Sequence, residues 1–370
     1  MNHGFLQGLV PKFNSIVDCH LKKLQPLANG KTSTPLAFYI QQFVLSIVSE
    51  CFFGTSLSAM CANAARHITV PARFASGRFR EPLMYILWRV NEGLMTSISS
   101  AAPTLMRFYS PVETKEYQDA ISAVRKLGRD QIEARIKAIE SGQETPTDLL
   151  NQILQLASLN GFGMEELVDN FYSFLGAGFD TTLNTIQFSI ILLTQHPNIM
   201  IRVVEEVGEV LGDRTQVTVE DLKKLTYMEQ VLYETLRLYT IISGGIPKSL
   251  HCDVNVDEDL TIPAKTTCML ISSVISSKAK YFEDPEVFNP DRFVPATSPD
   301  GFTFFPFGIG HRACIGKHFA LMEAKMFLAR FFQTFTVSLP DDYTLMPELE
   351  GLTLKPQGDL DCTLAPVPRN

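Results

Sequence analysis

The sequence predicts a mainly α protein with a minor β-sheet, built as a single domain over residues 1–370. Three observations carry this reading. Apolar residues recur at helical spacing up to about residue 240. Beyond that point Pro, Gly and β-branched residues break the chain into short strand-like runs. No internal repeat and no low-complexity linker divides the chain.

In chain order, an ordinary helical pattern follows Asn2-His3-Gly4, and nothing there reads as a signal or anchor. Leu36–Phe52 reads as a buried helix and Glu81–Met95 as a second. Thr96–Thr114 is rich in Ser and Pro and reads as a loop. Glu116–Ser141 is amphipathic through Ile121, Val124, Leu127, Ile132, Ile136 and Ile139, and Gly142 stops it. Thr147-Asp148 opens a helix over Leu149–Leu159. Met164–Gln195 is a long apolar helix interrupted by Gly176-Ala177-Gly178 and ended by His196-Pro197. Each mid-helix glycine costs about 1 kcal/mol against alanine, so something must lie close to it or a kink must occur. Helices over Asn198–Leu211 and Thr226–Tyr239 follow. Strands are expected near Val254–Ile262 and Thr267–Ile271, and irregular chain over Asp284–Ser298. A last helix, Ile315–Phe332, precedes strands Phe335–Leu339, Leu352–Lys355 and Cys362–Ala365.

Composition narrows the function. With 45% apolar and 19% charged residues the chain fills a sizeable core and is neither disordered nor fibrous. Its 26 Phe suit a lipophilic ligand and equally suit plain core packing. A net charge of −8 with no Lys/Arg run argues against nucleic acid as a partner. Seven Cys without a Cys-x-x-Cys form neither a disulfide framework nor a zinc ribbon, and a reducing compartment is expected. The charge-free stretches Thr32–Ser49 and Thr181–Ile201 carry Pro, Gln, Asn and His, and read as buried helices rather than membrane spans.

The strongest local signal is Phe307-Gly308-Ile309-Gly310-His311-Arg312-Ala313-Cys314-Ile315-Gly316. Here a Cys sits where a Gly-rich loop enters a helix, and the partial positive charge of a helix start favours a thiolate. Gly308 and Gly310 remove side chains where a flat cofactor could lie against backbone. Arg312 is placed to pair with a carboxylate of that cofactor, and Phe307 to shield the sulfur. A lone Cys in such a turn is more often a structural thiol; ten matched positions reverse those odds.

This loop resembles the haem-binding signature Phe-x-x-Gly-x-Arg-x-Cys-x-Gly of the cytochrome P-450 superfamily at every fixed position. Further motifs of that superfamily follow the same order. Glu234-Thr235-Leu236-Arg237 resembles its Glu-x-x-Arg helix, where a spacing of three puts both side chains on one face. Phe288-Asn289-Pro290-Asp291-Arg292-Phe293 resembles the segment whose Arg joins that pair, so Glu234, Arg237 and Arg292 are expected to pin the haem loop. Ala177-Gly178-Phe179-Asp180-Thr181-Thr182 resembles the oxygen-binding helix motif. That likeness assigns Gly178 to the cofactor and a proton relay to Asp180 and Thr181. The alternative for Thr181 is a bond back to a carbonyl of its own helix. Two departures stand out: Thr240 replaces a frequent Pro, and no Arg occurs between Arg237 and Arg292. Lys248 is then the nearest candidate for a haem propionate, without bidentate geometry.

The resemblance implies a cytochrome P-450 fold lacking its N-terminal part, with the membrane anchor, first β-sheet and first helices absent. It implies haem b (iron protoporphyrin IX) held by the Cys314 thiolate, with Phe307, Gly310, Arg312, Gly316 and Lys248 around it. It implies electrons from NADPH through NADPH-cytochrome P-450 reductase, a lipophilic substrate, and a membrane surface at the cytoplasmic face of the endoplasmic reticulum. Within the superfamily the likeness is greatest to the animal cholesterol 24-hydroxylases. It rests on Gly163–Phe171, Tyr281–Pro285, Thr353–Pro356 and Cys362–Leu364, and puts a sterol first among substrates. A monooxygenase of fatty acids or xenobiotics, a haem-thiolate isomerase or dehydratase acting on a peroxide, and a truncated non-catalytic remnant with weak haem binding are the alternatives.

Overall fold

The computed structural model describes residues 3–74, 81–99, 111–295, 299 and 301–368. Twelve α-helices occur among them. They are α1 His3–Leu24, α2 Leu36–Phe53, α3 Leu57–Ala64, α4 Pro82–Ser99, α5 Pro111–Glu140 and α6 Leu149–Asn160. After them come α7 Met164–Gln195, α8 Pro197–Leu211, α9 Val219–Lys224, α10 Thr226–Leu238, α11 Ser272–Ser276 and α12 Lys317–Thr334. The strands are short: β1 Ser33–Pro35, β2 Lys248–Ser249, β3 Val254–Asn255, β4 Thr261–Ile262, β5 Thr267–Cys268, β6 Phe335–Ser338, β7 Pro347–Glu350, β8 Thr353–Pro356 and β9 Asp361–Pro366. The mainly helical class with a minor sheet is as the sequence predicts.

The axis of the fold is α7, 32 residues long, which packs against α2, α5, α10, α12 and the β7–β8 hairpin. Its start is capped where the Glu166 carboxylate accepts from the Gly163 N–H at 2.7 Å, and Pro197 opens α8 directly behind it. The expected interruption at Gly176–Gly178 does not occur, and the helix runs through unbroken. The loop expected over Thr96–Thr114 is helical at both its ends, since α4 reaches Ser99 and α5 begins at Pro111; residues 100–110 lie outside the described residues. The strand expected over Val254–Ile262 is two two-residue strands joined by a turn, because Asp257 accepts the backbone N–H groups of Asp259 and Leu260.

The core is dense in phenylalanine. Phe13 and Phe52 pack on Phe319, Phe43 on Phe327, and Phe53 on Phe171, with ring centroids 4.2–5.2 Å apart. The Phe surplus is therefore spent largely on helix packing. At the C-terminus of α2, Gly54 takes φ +61, and a Cβ there would come within 2.7 Å of the Arg135 guanidinium. Arg135 is itself paired at 2.8 Å with fully buried Asp148, which caps α6. Helix α2 is long and apolar enough to cross a membrane by length and composition, yet 78% of it is buried against the rest of the fold.

Strands β1, β9 and β6 form an antiparallel sheet in that order, with Thr34 opposite Cys362 and Val337 opposite Leu364. The pairs β2–β5, β3–β4 and β7–β8 are two-stranded. Strand β7 was not expected, as Pro347 and two glutamates carry little strand propensity. Lys355 anchors it by pairing with Glu348 at 2.9 Å and Glu350 at 2.8 Å across the hairpin.

His20 of α1 is buried against Ser46 at 2.9 Å, and burial, helped by Lys23, pulls its pKa from 6.5 down to about 3. Below pH 6.5 the unfolded chain takes up a proton there that the folded chain refuses. Stability supplied by neutral His20 is thus complete above pH 6.5 and drains as pH falls toward 3, by up to about 1.4 kcal/mol per unit. Urea denaturation at pH 7.5 and 5.5 should show this loss in the wild type. His20→Gln, which keeps a donor for Ser46 and cannot ionise, should flatten it.

Candidate functional site

Residues 307–316 form a turn that delivers Cys314 to the entrance of α12. The Cys314 N–H donates to the Phe307 carbonyl at 2.7 Å and closes the loop on itself. Gly308 and Gly310 take φ +71 and +70, a left-handed backbone that L side chains resist. A Cβ on Gly316 would lie 3.7 Å from the Cys314 sulfur. Cys314, Arg312 and Gly310 are exposed, and Ile315 beside them keeps 64% of its surface in solvent. Phe307 is half-buried. It packs against the cluster of Phe188, Leu236 and Ile241, and the Lys317 ammonium stands 5.9 Å from its ring.

The donor set decides what this thiol suits. Among the described residues no group of three His, Cys, Asp or Glu could hold a metal ion. A single exposed thiol flanked by glycines therefore fits an iron that brings its other ligands with it, as a porphyrin does. Surface depressions of about 640 Å³ beside α1 and about 390 Å³ beside β6 are lined by no residue of this loop.

Next to the loop in the motif order lies a buried charge cluster. Glu234 is fully buried on α10 and accepts from Arg237 through Nε at 2.7 Å and through a terminal nitrogen at 2.8 Å. Arg292 adds Nε at 3.3 Å, and the Asn289 N–H adds a bond of 2.9 Å. The remaining guanidinium donors go to carbonyls: Arg237 to Ser276 and Val287, Arg292 to Asp284. Nearly every charged atom thus has a partner, as burial of charge demands. The structure brings Glu234, Arg237 and Arg292 together; Asn289 and the carbonyl partners had no signal in the sequence.

On α7 the structure adds a neighbour that the sequence did not reveal. A Cβ on Gly178 would meet Phe52 at 2.9 Å and Val48 at 3.3 Å, both on α2. Gly178 is therefore a helix-crossing glycine, and α2 is a close neighbour of the kind its cost demanded. Thr181 donates its hydroxyl to the Ala177 carbonyl at 2.8 Å, so its one proton is committed to its own helix. The Asp180 carboxylate accepts from Asn91 of α4 at 3.2 Å and from the Thr353 hydroxyl of β8. Lys248 lies exposed on β2 opposite Cys268, next to exposed Ile246, Met269 and Leu270.

Comparison with known proteins agrees with this geometry. A family model described as "Cytochrome P450" matches residues 1–362. "Cytochrome P450 72A15" of Arabidopsis thaliana is 33% identical over 260 residues, covering 67% of this chain and 50% of that protein. "Probable cytochrome P450 4aa1" of Drosophila melanogaster is 26% identical over 369 residues, covering 97% of this chain and 68% of its own length. The crystal structure of the "cytochrome P450DA heme domain" superposes with a TM-score of 0.80 at 22% identity, covering 98% of this chain and 74% of that one. The chain spans about half the length of several plant relatives it matches. With a family model matched along nearly its whole length, a helical fold around α7 and a cysteine loop at the head of α12, the chain belongs to the cytochrome P450 family.

Proposed function

We propose that this chain is the haem-thiolate part of a monooxygenase that inserts one oxygen atom of O2 into a lipophilic substrate, with a sterol as the first candidate. The observation that carries the reading is the Cys314 loop: an exposed thiol, closed by a backbone bond to Phe307 and flanked by left-handed glycines at the start of α12. Bound there, haem b would supply the oxygen chemistry. Cys314 would hold its iron, and Gly310 and Gly316 would let it approach the backbone. Arg312 and Lys248 are the cations offered to its propionates, and Phe307 would keep water from the sulfur. The Glu234–Arg237–Arg292 cluster would hold the loop's surroundings rigid without touching the reaction. Asp180 and Thr181 are the candidates for proton delivery; for Thr181 this requires its hydroxyl to leave the Ala177 carbonyl. The partners of this reading are NADPH-cytochrome P-450 reductase and the cytoplasmic surface of the endoplasmic reticulum membrane. The sterol rests on the likeness of residues 163–171, 281–285, 353–356 and 362–364 to cholesterol 24-hydroxylases.

The test is optical and catalytic. Chain loaded with haem, reduced and exposed to carbon monoxide, should show the red-shifted Soret band of a thiolate ligand, and cholesterol should perturb the ferric spectrum. With reductase and NADPH, Thr181→Ala should keep the band and divert electrons to hydrogen peroxide. A band at the position of a nitrogen ligand removes the haem-thiolate reading, and unchanged coupling in Thr181→Ala removes that residue from the relay.

A further inference from the structure

Asp180 is the meeting point of three elements that lie far apart in the chain. Its Oδ2 accepts from the Asn91 side-chain amide of α4 at 3.2 Å and from the Thr353 hydroxyl of β8. These donors stand 89 and 173 residues away. Asn91 does more than touch the acid. Its Oδ1 accepts the Leu352 N–H at 3.2 Å, and its amide also reaches the Glu350 carbonyl at 3.4 Å. One side chain therefore satisfies the tip of the β7–β8 hairpin and the carboxylate together.

The tip is shaped for this contact. Gly351 takes φ +58, and a Cβ there would come within 2.7 Å of the Asn91 side chain. Only glycine permits both the turn and the approach. The rest of the hairpin is braced: Lys355 pairs with Glu348 and Glu350, and the Leu354 N–H donates to the Ile241 carbonyl at 2.8 Å. On the helix side, Asn184 one turn later offers its amide to Asp180 Oδ1 at 3.5 Å. The carboxylate is thus held from two neighbouring elements, one of them the braced hairpin, while the adjacent Thr181 bonds back to its own helix.

From this geometry we propose that Asn91 and Thr353 are positioning residues for Asp180, which lock the α7 acid to α4 and to the hairpin tip. The proposal rests on the monooxygenase reading for its catalytic consequence and on the hydrogen bonds alone for its mechanical one. A hydrogen bond to a charged group contributes enough to set a side-chain rotamer. Loss of either donor weakens the hold on the carboxylate, and loss of Asn91 also loosens the hairpin tip from α4.

Two measurements separate these consequences. In the haem-free chain, amide exchange at Leu352 should speed up about tenfold in Thr353→Val and in Asp180→Ala, which corresponds to about 1.4 kcal/mol. The double variant should exchange no faster than Asp180→Ala alone, since the bond lost in Thr353→Val is among those lost with the carboxylate. Thr353→Ser should restore the wild-type rate. In the haem-loaded chain with reductase, Thr353→Val and Asn91→Ala should keep the carbon monoxide band and the substrate KM, lower kcat and release more peroxide per NADPH; Thr353→Ser should recouple. Unchanged exchange in both single variants overturns the lock. Faster exchange with unaltered kcat and peroxide makes the lock purely structural and overturns the positioning role. Absence of the carbon monoxide band in the wild type counts against the monooxygenase reading and removes the catalytic role with it, while the exchange arm still decides the lock.

Discussion

Cys314→Ser is expected to abolish the red-shifted band of the reduced, carbon monoxide-bound chain completely, with helical circular dichroism unchanged. The thiol is exposed, and the bond that closes its loop is donated by the backbone N–H to Phe307, which serine keeps. The left-handed turns belong to Gly308 and Gly310 and do not depend on residue 314. Substitution at such a surface position should alter unfolding free energy by no more than about 0.5 kcal/mol. The loss is therefore one of ligand and not of fold. A hydroxyl is a far weaker iron ligand than a thiolate, so the spectrum should vanish or move to that of another axial ligand. A Cys314→Ser protein that kept the wild-type band would place the iron elsewhere.

Glu234→Ala should have the largest effect on stability. It leaves Arg237, 2% exposed, and the half-buried Arg292 facing each other with no anion between them. Four donors lose their acceptor at once. Removing one partner of a buried ion pair typically costs about 3–5 kcal/mol, a large share of the 5–15 kcal/mol that holds a domain folded. Urea unfolding should show the midpoint fall steeply, with Glu234→Gln intermediate because the amide oxygen still accepts. A midpoint within error of the wild type would mean that the cluster contributes nothing beyond filling space.

How far the sequence reached depends on the distance over which each signal acts. The limits of α7 were readable to the residue, since Gly163 and the His196-Pro197 pair act within a turn of the helix they bound. The head of α12 lies two residues later than expected, because Ile315 and Gly316 still belong to the cysteine turn. Glu234, Arg237, Arg292 and Cys314 were legible through motifs whose spacing is local. The packing of Gly178 against Phe52 was not readable, because a glycine reports that something lies close, not what it is, and Phe52 is more than a hundred residues earlier. Asn91 and Thr353 were invisible as partners of Asp180: a polar residue on a helix or strand reads as surface until tertiary folding shows otherwise.

The sheet that joins β1 to β9 has a consequence for how the molecule is made. Thr34 and Cys362 lie opposite one another across 328 residues. During synthesis, β1 and the edge of β6 wait unpaired until β9, Asp361–Pro366, has left the ribosome. Loop-closure entropy is no obstacle over that span, since each doubling of length adds only about 0.6 kcal/mol. The exposure is in time: two open strand edges stand ready to pair with other nascent chains until β9 arrives and covers both.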